Sequence, residues 1–490
     1  MRSDIRPADA RRLWIAATCL AVAALLLWLP ALSTPFWGDD YLFLEDAFRA
    51  RLEHEPWWTP FWPDSRYQFW RPLGHETYWR FVEGVLGSDP WAAHLVSLSL
   101  WLLGCLSVGL VGASLARGLR WEGAWPTGAL AAAIYAVLAL HFTPIHWTSS
   151  GDSLLIVLFT ALALAAWTAS PMSTPRVRAL LSVSIPALQL LALFSKESAA
   201  VIPLLMLCMS VLTGPRCKPG RPEVVAWVAC VALIVAWLVV GRRFVFPLPP
   251  QYALAIEGNV LRNIASLAAW TLNVPREALR MAILGPRVEG LLWAFAAALP
   301  MAALVWMAGC TLSKRMSPVQ GTALAAFALV GYGPYFLLSW QSYEYYAQVA
   351  AILPAVVLAR AAMLSKRTTA ALALLVLSSC IAVEGSRWVG YPGLIGRART
   401  GEEQLAKLVA REILEPAVPE LSSPLLISVS NAHEFYAIGS AGLAWRLAWD
   451  QSDIAIVDGC RSQADVVLDF QGGDVAIVEC GADEPDDLLI

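Results

Sequence analysis

The chain has 490 residues, 58% of them hydrophobic and only 15% charged. Soluble domains carry about 25% charged residues, and a water-exposed chain of this length could not cover so much apolar surface. That excludes a soluble enzyme with a tail and a disordered chain. Lys and Arg total 35 against 38 Asp and Glu, a net charge of -3 with no basic tract, which excludes a nucleic-acid binder.

A membrane span needs about 20 apolar residues. Eleven stretches qualify: 12–32, 91–115, 126–146, 152–170, 178–195, 198–214, 223–241, 289–310, 318–339, 346–364 and 367–385. The first follows Arg2, Arg6, Arg11 and Arg12 and resembles a signal peptide. Trp28, Leu29 and Pro30 stand where a small-residue cleavage site would be, so it is read as an anchor.

Basic residues set the expected orientation. With the N-terminus inside, the inner loops hold Arg117 and Arg120, Arg176 and Arg178, Arg216, Lys218 and Arg221, Lys314 and Arg315, and Lys366 and Arg367. The outer connections HFTPIHWTSSGD and SWQSYEYYAQ hold no Lys or Arg. Eleven spans then put the C-terminus outside.

The fold class expected is a polytopic α-helical membrane domain, residues 1–385, followed by an extracytoplasmic α/β domain, residues 386–490. The outer loops 33–90 and 242–288 belong to the first, so all three large non-membrane segments share one side, where chemistry is expected. In the tail, EEQLAKLVAREIL has helical spacing, and PLLISVS, IAIVD, ADVVLDF and VAIVE read as strands. Cys460 and Cys480 lie in this tail. In an oxidising compartment they are expected to form a disulfide.

The first outer loop is the richest in chemistry. Asp39 and Asp40 follow the membrane exit closely, and adjacent carboxylates there suit a general base or a divalent-metal ligand. Gly38-Asp39-Asp40 before YLFLEDAF equally suits a helix N-terminus, where one carboxylate caps and the other points away. Arg71, in FWRPLG, is biased to an extended backbone by Pro72 and suits a lipid phosphate, or ordinary headgroups. Lys196 and Glu197, in FSKESA, are pinned at the outer face by a very short connection; a cation there breaks the charge rule and invites phosphate binding, or snorkelling beside its neighbour. Glu344 lies among aromatics in WQSYEYYAQ. His141, His146 and Asp152 cluster on an outer loop without a standard zinc spacing, and His54, His75 and Asp64 add unspecific options. The aromatics from Trp57 to Trp79 suit either interfacial anchoring or a wall for a sugar or polyprenyl chain.

An acidic pair after the first span (GDDY), then FWRPLG, then FSKESA, all on one side and in this order, resembles the GT-C superfamily of membrane glycosyltransferases. Within it the order is similar to the protein O-mannosyltransferase branch and its bacterial relatives. YEYY is a weaker echo. The oligosaccharyltransferase WWD motif is missing, as are tetratricopeptide repeats. The resemblance covers residues 12–350 and implies an inverting transfer of sugar from a polyprenyl-phosphate donor to an acceptor hydroxyl on a protein, lipid or polysaccharide. It implies an active site on the outer face of the inner membrane, with Asp39 or Asp40 as base and Arg71 and Lys196 on the donor phosphate. Glu197 and Glu344 are the supporting acids. A divalent metal, Mg or Mn, on Asp39, Asp40 and Glu197 is an option that the family leaves open. The alternatives are a transporter or flippase of lipid-linked sugars, which calls for ionisable groups at mid-span, and a non-catalytic envelope assembly protein.

Overall fold

The computed structural model describes residues 7–63, 69–244, 252–284, 287–313, 315–339, 342–365, 367–388, 395–396, 398–400, 402–403, 425–429, 454–458, 466–471 and 474–478. The first part is helical: α1 (Pro7–Trp28), α2 (Asp39–Leu52), α3 (Tyr78–Gly84), α4 (Pro90–Gly118), α5 (Ala124–Val137), α6 (Phe142–His146), α7 (Asp152–Ala169) and α8 (Pro175–Ser195). It continues with α9 (Ile202–Thr213), α10 (Arg221–Phe244), α11 (Gly258–Thr271), α12 (Arg276–Leu284), α13 (Arg287–Leu312), α14 (Pro318–Tyr332), α15 (Gln348–Leu364) and α16 (Thr368–Trp388).

Among the described residues, eight helices are long and apolar enough to cross a membrane, or up to nine counting a bent pair. The chain is a multi-pass membrane protein. The eleven expected spans all fall on helix, but three depart from a simple crossing. Residues 124–146 break at Leu138 with a 60° bend, and Glu197–Thr213 is a shorter apolar helix. Residues 318–339 give only the 15-residue α14, followed by a 3-10 turn at Gly333–Leu337 that opens with Pro334 near its start. Hydropathy reads composition and cannot see a bend.

Burial orders the helices. The α7 segment is 78% buried and central, whereas the α10 segment is 17% buried and peripheral. Leu180, Val183 and Trp306 point outward from their helices, as side chains facing lipid do. Helix α4 lies tight against α5 because glycines line the contact. A Cβ on Gly128 would stand 2.5 Å from the Gly109 carbonyl oxygen and 3.0 Å from the Ala113 Cβ. Small residues of this kind let membrane helices approach closely.

Helix termini sort into two ends. At one, Trp147 Nε1 donates to the Trp37 carbonyl, and Arg71 reaches both Asp152 and Glu197. At the other, Arg178 pairs with Glu223 at 2.6 Å, and Arg360 reaches the Glu122 carbonyl. The Arg117 guanidinium also sits at this end, over the Trp125 ring.

The tail forms a four-stranded sheet in the order β2-β1-β3-β4: β1 (Leu425–Val429), β2 (Ile454–Asp458), β3 (Val466–Gln471) and β4 (Asp474–Ile477). Strand β1 runs parallel to β2 and β3, and β3 pairs antiparallel with β4. All four strands match those read from the sequence. Most of the expected EEQLAKLVAREIL helix lies outside the described residues, as do Cys460 and Cys480. The other seven cysteines are free thiols.

Replacing Gly128 by Ala is expected to lower the thermal midpoint of the purified protein, by overpacking of about 1–3 kcal/mol. Gly309→Ala, where a Cβ meets nothing within 4 Å, is expected to leave the midpoint unchanged or raise it slightly.

Candidate active site

Residue Gly38, at φ +58°, turns the chain into α2, which begins with Asp39 and Asp40. The two carboxylates separate at once. Asp40 is buried; it accepts from the Trp37 backbone N–H at 3.0 Å, and from the Ser149 backbone N–H and hydroxyl at 2.7 and 2.5 Å. Burial pushes its pKa up to about 7, although the bonds from Ser149 and Trp37 act in the opposite direction. It fastens the start of α2 to the segment before α7. Asp39 is half-buried and lies within electrostatic reach of Tyr252, together with Arg71, Tyr343 and Glu197.

Residue Arg71 has a non-helical backbone (φ -125°, ψ 66°) that falls short of the extended conformation expected ahead of Pro72, and the next turn, Pro72–Thr77, is π-helical. Gly74 brings this turn against α8. A Cβ there would lie 2.5 Å from the Ser195 carbonyl oxygen and 2.9 Å from the Asp152 Cβ. Helix α8 stops at Ser195, Lys196 is extended (φ -161°), and a 3-10 turn starts at Glu197.

These breaks place five ionisable groups together. Arg71 donates from Nε to Glu197 Oε2 at 2.7 Å, from Nη2 to Glu197 Oε1, and from Nη1 to Asp152 Oδ2 at 2.9 Å. Lys196 Nζ lies 3.2 Å from Asp152 Oδ1 and donates to Ser153 Oγ at 2.9 Å. His75 Nε2 stands 3.6 Å from Asp152 Oδ2. Burial works against the charge on Arg71, but Glu197 and then Asp152 outweigh it and raise its pKa. Burial lowers the pKa of Lys196, which Asp152 only partly restores. Burial also lowers that of His75, leaving it neutral at pH 7. The buried network thus holds two cations against two carboxylates.

Several expectations change here. Arg71 and Lys196 do not stand open to a phosphate. They are buried, and each is held by carboxylates, because an unpaired buried cation is strongly unfavourable. Asp152 does not join His141 and His146. His141 Nε2 lies 2.9 Å from the Tyr135 carbonyl oxygen and His146 Nδ1 3.0 Å from that of Phe142. Among the described residues, no three His, Cys, Asp or Glu side chains are close enough to hold a metal ion. That includes the proposed set of Asp39, Asp40 and Glu197, since Asp40 turns to Ser149 and Glu197 to Arg71. The aromatics of the first loop split: Trp57, Trp58 and Trp62 are exposed, while Tyr78 and Trp79 are buried. Asp64 and Tyr67 lie outside the described residues.

Next to this network is a small cleft lined by Trp37, Trp147, Tyr343, Glu344, Arg276 and their neighbours. It shares aromatic walls with the network. Tyr343 packs on Tyr345 and Tyr346, whose rings stand 5.1 and 5.7 Å from Lys196 Nζ. Arg276 was not singled out from the sequence. It lies 4.0 Å over the Tyr343 ring and reaches Glu277 only at 3.3 Å. No feature of NVPREALR sets it apart from an ordinary interfacial arginine.

No protein-family model and no curated protein matches the sequence. Among solved structures, the chain is similar to ArnT from Cupriavidus metallidurans bound to undecaprenyl phosphate, at 15% identity, TM-score 0.48 and 93% coverage of both chains. It is also similar to the Archaeoglobus fulgidus oligosaccharyltransferase. The structure of that protein tethered with an acceptor peptide matches at 13% identity and TM-score 0.46, covering 91% of this chain and 64% of that one. Its complex with an inhibitory peptide and a dolichol-phosphate matches at 13% identity and TM-score 0.45, covering 90% and 64%. These scores lie below 0.5, and the functional reading rests on the residues themselves.

The Asp40 carboxyl gives a pH signature. A folded pKa of about 7 against 3.8 unfolded means that the folded state holds the extra proton between those values. Its stabilising effect is complete below about pH 4 and is lost as pH rises through 7. The unfolding midpoint is expected to fall across this window in the wild type. In Asp40→Asn the slope should flatten, as read by thermal melts at stepped pH.

Proposed function

We propose that the chain is a GT-C-type glycosyltransferase that moves a sugar from a polyprenyl-phosphate donor to an acceptor hydroxyl at the outer face of the inner membrane. The observation that carries this reading is the meeting of Arg71, Asp152, Lys196 and Glu197 beside an aromatic-walled cleft that also holds Glu344 and Arg276. Segments more than 100 positions apart supply these groups, and a purely structural bundle has no need of such a concentration. The basic residues at the opposite helix ends support an inner-membrane orientation with this cleft outside. A flippase is less well supported, since the network lies at helix termini rather than at mid-span.

In the proposed reaction the acceptor oxygen attacks the anomeric carbon. The bond from that carbon to the phosphate oxygen breaks, and polyprenyl phosphate departs with the electron pair. A carboxylate takes the acceptor proton. Asp39 is the proposed base, because it is half-buried and lies with Arg71, Tyr343 and Glu197 within electrostatic reach of Tyr252. A single displacement inverts the anomeric centre, through a transition state with oxocarbenium character. The departing phosphate needs cations. Arg276 faces the cleft with only a long bond to Glu277. Arg71 and Lys196, held by carboxylates, contribute through the N–H groups that those bonds leave over.

Asp39→Asn is expected to reduce transfer by about 10²- to 10⁴-fold while membrane insertion stays intact. Mass spectrometry of envelope glycans and lipid-linked sugars, in cells carrying the wild type or the variant, measures it. Unchanged glycans in the variant would remove Asp39 from the role of base. Arg276→Ala is expected to raise the donor KM more than the acceptor KM in a steady-state assay with both substrates varied.

A further inference from the structure

Helix α8 is long and apolar enough to cross a membrane, and one stripe of it faces outward. Leu180, Val183, Ala187 and Leu191 recur three or four positions apart and are exposed, as lipid-facing residues are. Phe194 falls next on this stripe, at the end of the helix, and is only half-buried. Two aromatics from the connection between α2 and α3 cover it, Phe61 at 5.5 Å and Trp70 at 5.7 Å between ring centroids. The segment that carries Phe61 therefore lies on the lipid side of α8, at the height where that span leaves the bilayer.

This segment, residues 55–62, is held in shape from beneath. Arg80 Nη2 pairs with Glu55, and Arg80 Nη1 donates to the Pro56 carbonyl at 3.2 Å. Trp70 Nε1 donates to the carbonyl of the buried Pro60 at 3.3 Å. The backbone N–H groups of Thr59, Phe61 and Trp62 donate to the carbonyls of Pro56, Trp58 and Thr59. In such 3-10 turns residues three apart eclipse, so Trp58 shares the side of Phe61, which faces α8. Trp57, Trp58 and Trp62 are nevertheless 74%, 58% and 75% exposed, and Trp57 meets Trp58 edge to face at 5.8 Å. A pinned scaffold that turns three indoles outward is an interaction surface.

We infer that Trp57, Trp58 and Trp62 form a membrane-surface anchor, seated among the lipid headgroups and upper acyl chains around the end of α8. Indole fits this zone, because its ring is apolar and its N–H seeks an acceptor such as a phosphate or ester oxygen. The acid within the segment, Glu55, is paired with Arg80. A soluble partner would give no reason for the indoles to begin where the lipid-facing stripe of α8 ends. The anchor bears on the ion network, since Trp70 grips this turn and directly precedes Arg71. The inference is independent of the glycosyl-transfer reading, because it needs only that α8 crosses the membrane.

The test uses the full chain in phosphatidylcholine nanodiscs, either plain or brominated on the acyl chain near the headgroup or near the terminal methyl. Tryptophan emission of the wild type minus that of the Trp57→Phe/Trp58→Phe/Trp62→Phe variant isolates the three indoles. The difference emission is expected at the blue-shifted wavelength of partly dehydrated indole. It is expected to lose most of its intensity to the shallow bromines, less to the deep ones and little to acrylamide in the water. A difference emission at the wavelength of indole in water, quenched by acrylamide and untouched by bromine at either depth, would overturn the anchor. Stronger quenching by the deep bromines would overturn it as well, by placing the indoles in the hydrocarbon core. So would indoles that ignore bromine and shift only when a soluble glycan is added. All three side chains are exposed, so the variant is expected to keep the wild-type melting midpoint in detergent. Should it melt early, Trp57→Phe and Trp62→Phe taken singly yield the same difference measurement for one indole each.

Discussion

The buried carboxylate of Asp152 organises this end of the molecule. It stands at the first turn of the most enclosed long helix, within reach of Arg71, Lys196 and His75. Arg71 and His75 come from the connection between α2 and α3, and Lys196 from the one between α8 and α9. Without this anion, two cations would be buried with a single carboxylate, Glu197, to balance them, which is strongly unfavourable in a low-dielectric setting. The loop that carries Arg71, the α7 start and the Lys196 turn are therefore interdependent. Their relative positions are set by electrostatics as much as by apolar contact.

Much of the architecture was legible in the sequence because membrane helices announce themselves through length and composition. The four tail strands were legible for a related reason, since short β-branched runs bounded by turn residues have few other uses. The bend at Leu138 and the brevity of α14 were not. Both depend on where backbone bonds are interrupted, which average hydropathy does not register.

The site was legible in part. Asp39, Asp40, Arg71, Lys196 and Glu197 stand out because charged residues next to apolar spans are rare. What could not be read was the pairing. Asp152 follows a Gly at the head of a span and looks like a cap, and its link to Arg71 crosses 81 positions. Nor could the sequence say what holds Asp40. That depends on Ser149, a residue with no chemical signature of its own in TSSGD. Glu344 is legible as an acid among aromatics and, through the resemblance, as a supporting acid; its hold on Thr143, 201 positions away, is a property of three-dimensional enclosure.

The absence of a side chain at Gly74 has a mechanical corollary. The π-helical turn rests directly on the Ser195 carbonyl and on Asp152, with no cushion of atoms between them. Such a seam does not slide, because any shift would drive backbone into backbone. The arginine turn and the end of α8 must then travel as one rigid block.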